Sequence, residues 1–149
     1  MESQKDFKEL LELLNKHKVQ YVIVGAYALA FYGAVRTTGD MDILINPSVA
    51  NAKRVVKVLE EFGFGSLGLK TKDFTTEAMV VQLGFQPTRI DILTSITGVS
   101  WSQINKNKAT GKYGDTKVFF ISKKDLITNK KILGRHKDLA DIESIQRKK

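Results

Sequence analysis

Residues 36–45 read RTTGDMDILI, and Asp40 and Asp42 stand at the mouth of an apolar run that has the composition of a buried strand. Aspartate is depleted in strands and costly to bury without a partner. In a strand, side chains two residues apart project from one face. Asp40 and Asp42 therefore point the same way, at about 6.5–7 Å between Cα atoms, while Met41, Ile43 and Ile45 point into the core. Two carboxylates about 4 Å apart repel by about 1 kcal/mol in water and by several-fold more at an effective dielectric of ~20. A divalent cation turns that cost into binding energy, and an all-oxygen set suits Mg2+ or Mn2+.

A second apolar run is interrupted in the same way. In TRIDIL (88–93), Ile90 and Ile92 face one side while Arg89, Asp91 and Leu93 face the other. If the two strands pair, three carboxylates meet at one sheet end, enough for two bridged ions of the kind that clamp an in-line phosphoryl displacement. A lone D-x-D is met most often in caps, turns and surfaces; the strand setting and Asp91 strengthen it. Upstream, YVIVGAYALA (21–30) reads as strand, glycine, helix. Glycine lets the backbone approach a ligand closely, and a helix start offers free N–H groups to phosphate. Neither a Walker loop nor a dinucleotide fingerprint is present.

The chain of 149 residues is long enough to bury a core as one domain. Hydrophobic residues make up 42% and charged residues 27%, which argues against disorder. No apolar run approaches the ~20 residues of a membrane span, and the charged amphipathic start MESQKDFKELLELL is no signal peptide. The absence of Cys excludes disulfides and thiolate metal sites and fits a cytoplasmic protein. The two His residues lack metal-ligand spacing: His17 reads as a solvent-facing residue after a helix, and His136 as a surface residue. A net charge of +8, concentrated in SKKDLITNKKILGRHKDL (122–139) and the final RKK, favours anionic partners such as nucleotides or RNA.

Periodicity predicts a helix over 3–17, a strand over 19–24, a short helix over 26–33 and a strand over 41–46. SVANAKRVVKVLEEFG (48–63) is an amphipathic helix stopped at Gly63. Strands follow in EAMVVQLGF (77–85) and TRIDILTSI (88–96), with a turn at Gln86-Pro87, and another in GDTKVFFIS (114–122). Ser122 caps a helix running to Leu133, Gly134 breaks it, and a last helix spans 136–146. Trp101, Tyr113, Phe119 and Phe120 read as core aromatics, since they lack the alternation of an RNA-recognition sheet. The mixed order predicts an α/β fold, a mixed central sheet flanked by helices, with a core over about 19–121 and a C-terminal helical segment over about 122–146.

In its order of motifs, VGAYALAFYGAVRTTGDMDILI (24–45), followed by RIDIL (89–93), resembles the nucleotidyltransferase superfamily with the DNA polymerase β-like palm. Arg36 and Thr38 before the aspartates, and the tail ISKKDLITNKKILGRHKDLADIESI (121–145), are most similar to its abortive-infection-toxin branch. The resemblance implies that Asp40, Asp42 and Asp91 hold Mg2+ or Mn2+ and carry the chemistry, with Asp91 helping to deprotonate an attacking hydroxyl. It implies nucleotide or phosphate contacts at Gly25, Ala26, Arg36 and Thr38, and nucleotide or acceptor contacts for Lys130, Arg135 and Lys137. A purely helical role stands beside this for the tail: Lys137 and Asp141 are spaced as an i,i+4 pair, and Asp138 sits in a first turn.

The implied activity is transfer of a nucleoside monophosphate from a nucleoside triphosphate to a hydroxyl on tRNA, protein or a small molecule. Ala26 stands where the family has Ser or Gly, and a hydroxyl lost from a phosphate contact is worth about 1.5–3 kcal/mol. The alternatives are a nucleotide- or RNA-binding module without turnover, and a toxin-type component needing a cognate partner. A homodimer or a second protein is expected to supply the acceptor surface.

Overall fold

The computed structural model describes residues 3–34, 39–85 and 88–147. Arg36, Thr38 and the Gln86-Pro87 turn lie outside them. Helix α1 (Ser3–Lys16) leads to strand β1 (Tyr21–Val24), and α2 (Gly25–Phe31) to β2 (Met41–Ile45). Then come α3 (Val49–Leu59), β3 (Val80–Phe85), β4 (Thr88–Leu93), α4 (Trp101–Asn107), β5 (Ala109–Tyr113), β6 (Thr116–Phe120), α5 (Lys123–Leu133) and α6 (His136–Arg147). The strands form one mixed sheet in the order β3-β4-β2-β1-β6-β5. At its centre β2 runs antiparallel to β1 and parallel to β4, a crossover made through α3 and β3.

The alternation read in the sequence sets the layers. Met41, Ile43 and Ile45 are fully buried, and Phe7, Leu10 and Leu11 of α1 join them in the same core cluster. On the other face of β2, Asp42 is followed by the buried Leu44. Helix α3 is capped by Ser48, whose hydroxyl accepts from the Asn51 amide at 3.2 Å, and it passes after Leu59 into one wider turn that ends at Gly63, where φ is 103°. Ser122 caps α5 by accepting from the Asp125 amide at 3.1 Å, and Gly134 ends that helix in the left-handed region. His17 is no free surface group: its Nε2 lies 3.1 Å from Glu61, so it joins α1 to the end of α3.

Two elements, α4 and β5, have no clear signal in the sequence pattern. Seven residues of WSQINKN are too few for a period to show, and ATGKY has weak strand preference. Strand β5 forms because Gly114 turns it back onto β6, with Tyr113 opposite Thr116. Its Gly111 is required by packing: a Cβ there would lie 2.7 Å from the ring of Phe31 and 2.8 Å from that of Phe120, which stack at 4.1 Å.

Asn51 joins α3 to the strands. Its side chain accepts from the Gln20 amide at 2.7 Å and donates to the Gln20 and Asn46 carbonyls at 3.0 and 2.8 Å, with 1% of the residue exposed. Asn51→Leu strands these buried backbone groups, so we expect a loss of about 2–3 kcal/mol in denaturant unfolding. A change within a few tenths of a kcal/mol would show that water replaces the amide.

Candidate active site

The parallel pairing of β2 with β4 makes Asp42 and Asp91 register partners, as Met41 is with Ile90 and Ile43 with Ile92. The apolar partners anchor this register, because a slip of one residue would turn every side chain over. The Asp42 and Asp91 side chains thus meet on one sheet face, and Asp40 enters from the segment just before β2. Burial first, then Asp91 and Asp40 nearby, pushes the Asp42 carboxyl up to about 6.

Arg89 reaches into this group from the same face of β4. Its Nε and Nη2 donate to the two Asp91 oxygens at 2.7 and 3.1 Å, and Nη2 lies 3.4 Å from Asp40. The guanidinium thus stands between Asp40 and Asp91. Among the described residues no set of three His, Cys, Asp or Glu side chains is gathered closely enough to hold an ion, and Arg89 supplies a physical reason by drawing two of the three carboxylates onto itself. The donors are nonetheless all carboxylate oxygens, and Arg89 shows that a cation is accommodated among them. Carboxylate oxygens are the donor chemistry that a hard divalent ion takes.

Gly25 abuts this cluster. Its φ is 68°, and a Cβ there would run into the Asp42 carboxylate, with Asp42 Cγ only 3.0 Å away. The glycine at the end of β1 is therefore fixed both by its backbone and by the aspartate across from it. Beside it opens a cleft of about 340 Å3, lined at one end by Gly25, Ala26 and Asp42 and at the other by Lys130, Arg135 and Lys137. That volume is within the range of small-molecule sites.

The basic wall is partly neutralised. The buried Lys130 donates to Asp141 at 2.8 Å and lies 3.5 Å from Asp138, while Arg135 Nε donates to Asp138 at 2.6 Å. Asp138 is fully buried, and the Arg135 bond with Lys130 nearby holds its carboxyl down to about 2. Lys130 thus fastens α5 to α6, and Arg135 is tied to the first turn of α6. Asp141, which spacing pairs with Lys137, finds Lys130 on the neighbouring helix. Lys137 and His136 are exposed.

By sequence, no family model and no curated protein matches the chain. Its structure is similar to TM1012 from Thermotoga maritima, a nucleotidyltransferase by assignment, at TM-score 0.59 and 15% identity over 96% of this chain and 89% of that one. It is also similar to the lincosamide antibiotic adenylyltransferase LnuA in its lincomycin-bound form, at TM-score 0.53 and 15% identity over 95% of each chain. An antigenic nucleotidyltransferase-like protein from Paracoccidioides brasiliensis matches at TM-score 0.55 and 17% identity, over 97% of this chain and 75% of that one. The chain has the nucleotidyltransferase fold.

Gly25→Ala is expected to cost at least about 1–2 kcal/mol, from the left-handed backbone alone, with displacement of Asp42 adding to it. Denaturant unfolding measures this, and an unchanged stability would mean that β1 and β2 shift apart freely. Asp138 titrates below its unfolded value of about 3.9, so its contribution is complete above that value and is lost as pH falls through about 2. The difference in melting temperature between wild type and Asp138→Asn should therefore be constant near pH 6 and shrink below pH ~4.

Proposed function

We propose that this chain is a divalent-metal-dependent nucleotidyltransferase that moves a nucleoside monophosphate from a nucleoside triphosphate onto an acceptor hydroxyl. The observation that supports it best is the pairing of Asp42 with Asp91, pressed against Gly25 at one end of a cleft with basic residues at the other. Asp40, Asp42 and Asp91 would hold Mg2+ or Mn2+, which when bound supplies positive charge to the phosphate oxygens and the attacking oxygen. Arg89 must turn from Asp40 and Asp91 for both to serve the ion.

The triphosphate lies along Gly25 and Ala26, where no side chain beyond a methyl group obstructs it. Lys137 and the exposed edge of Arg135 face it with positive charge. Lys130 acts through the helix pair that it fastens. In the transfer the acceptor hydroxyl gives its proton to Asp91 and its oxygen bonds to the α-phosphorus. The bridging P–O bond to the β-phosphate then breaks, and its electron pair leaves on pyrophosphate. LnuA, with the same fold, is an adenylyltransferase of a small antibiotic, so a small molecule stands with tRNA and protein as an acceptor class.

Ala26 favours a second reading, a nucleotide- or RNA-binding module without turnover, because no hydroxyl is present there to hold a phosphate oxygen. Label transfer from each α-phosphate-labelled triphosphate, with Mg2+ or Mn2+ and pooled acceptors, separates the two. We expect transfer by wild type and a loss of about 10²–10⁴-fold in Asp91→Asn, the range of a general base. Nucleotide binding with no transfer to any acceptor would select the binding module; no nucleotide binding would sink the transferase, and no binding of nucleotide or RNA would sink both readings.

A further inference from the structure

A second cavity of about 320 Å3 opens beside the first. Leu44 lies in its lining, two residues along β2 from Asp42 and on the same face, at about 6.6 Å by strand rise. Ile96 lines both cavities and forms the partition between them. Trp101 and Ile104 of α4 supply apolar walls.

The two cavities differ in charge. The first is lined by Lys130, Arg135 and Lys137 together with Asp42 and Asp141, whereas among the described residues the second is lined by no Lys or Arg and by one carboxylate, the exposed Glu77. Two hydroxyls there have donor capacity to spare. Ser95 accepts from the Ala78 amide at 3.0 Å and Ser100 from the Gln103 amide at 3.3 Å, which leaves both O–H groups to donate. The rim carries backbone strain: Ala78, next to Glu77, has a φ of 59°, and its amide is tied to Ser95. Strain of this kind collects at ligand sites.

We propose that this second cavity is the acceptor subsite and that the acceptor is a small hydroxyl-bearing amine with an apolar ring, not a nucleic acid. The inference rests on the nucleotidyltransferase reading and names the substrate class of the same site. The ring packs on Trp101 and Ile104, the ammonium group pairs with Glu77, and Ser95 and Ser100 donate to the acceptor's oxygens. Its reactive hydroxyl passes Ile96 and Leu93 towards Asp91, where it gives up its proton, bonds to the α-phosphorus and displaces pyrophosphate. An RNA acceptor would set phosphates against Glu77 with no Lys or Arg among the described lining residues to pair with them, an arrangement that like-charge repulsion disfavours.

Trp101 is the sole tryptophan of the chain, so its emission reports on this cavity alone. Three probes of matched shape, phenylalaninol, 3-phenylpropanol and phenyllactate, together with pooled tRNA, are titrated into the full chain. Phenylalaninol should change the emission saturably and bind about tenfold more tightly than the neutral alcohol, with phenyllactate weakest. Glu77→Gln should abolish that order while leaving the binding of Mg2+ and a nonhydrolysable triphosphate unchanged by calorimetry. An unchanged order in Glu77→Gln, a saturable response to phenyllactate at least as tight as to phenylalaninol, or no saturable response to phenylalaninol overturns the proposal. Nucleotide binding with label transfer to tRNA would also overturn it while keeping the transferase reading. Amine binding at Trp101 without any nucleotide binding would sink that reading instead.

Discussion

The parallel pairing of β2 with β4 is the constraint on which the rest depends. It is held by apolar partners, and the same register that buries Met41 against Ile90 forces Asp42 against Asp91. Placing like charges side by side on a half-buried sheet is unfavourable by itself, and the raised proton affinity of Asp42 is its signature. Arg89 offsets part of that repulsion, which lets the chain fold with its acids already in place. The site is therefore arranged by the core and stabilised by a local cation.

The two C-terminal helices close the other side of the cleft, and they do so by spending charge on each other. Lys130 and Arg135 are matched by Asp138 and Asp141, so the wall facing the aspartates is stiffened by an ion-pair network in which Lys130, Asp138 and Asp141 are buried and Arg135 reaches solvent. Breaking one partner of such a network is far more costly than its net contribution suggests, because a charge is left without compensation. What is left to meet an anion is Lys137 and the outer part of Arg135. The surplus of basic residues in the chain thus overstates the field inside the cleft.

Most of the fold was legible because it rests on short-range alternation. The strands carrying Asp42 and Asp91 announced themselves by a polar residue in an apolar run, and the glycine by its place between strand and helix. The Ser122 cap and Gly134 marked the ends of α5 as local chemistry dictates. Helix α4 and strand β5 were not legible, since one is too short for a period and the other owes its conformation to β6 and to two stacked rings. Alternation puts Arg89 on its observed face, but its grip on two aspartates depends on how its side chain bends, which spacing does not encode. The Lys130–Asp141 pair, eleven residues apart, joins two helices and has no local signal. The second cavity was invisible for the same reason: its lining comes from β2, the segment after β4, α4 and the segment before β3.

The contact between Gly25 and Asp42 ties two distant positions of the chain into one heritable unit. No side chain can be added at the first while the carboxylate occupies the second, yet a lineage that discarded the carboxylate would find the space released. Drift at position 25 is thus gated by position 42. A glycine at position 25, on this geometry, is the trace that an acid at position 42 leaves in the sequence.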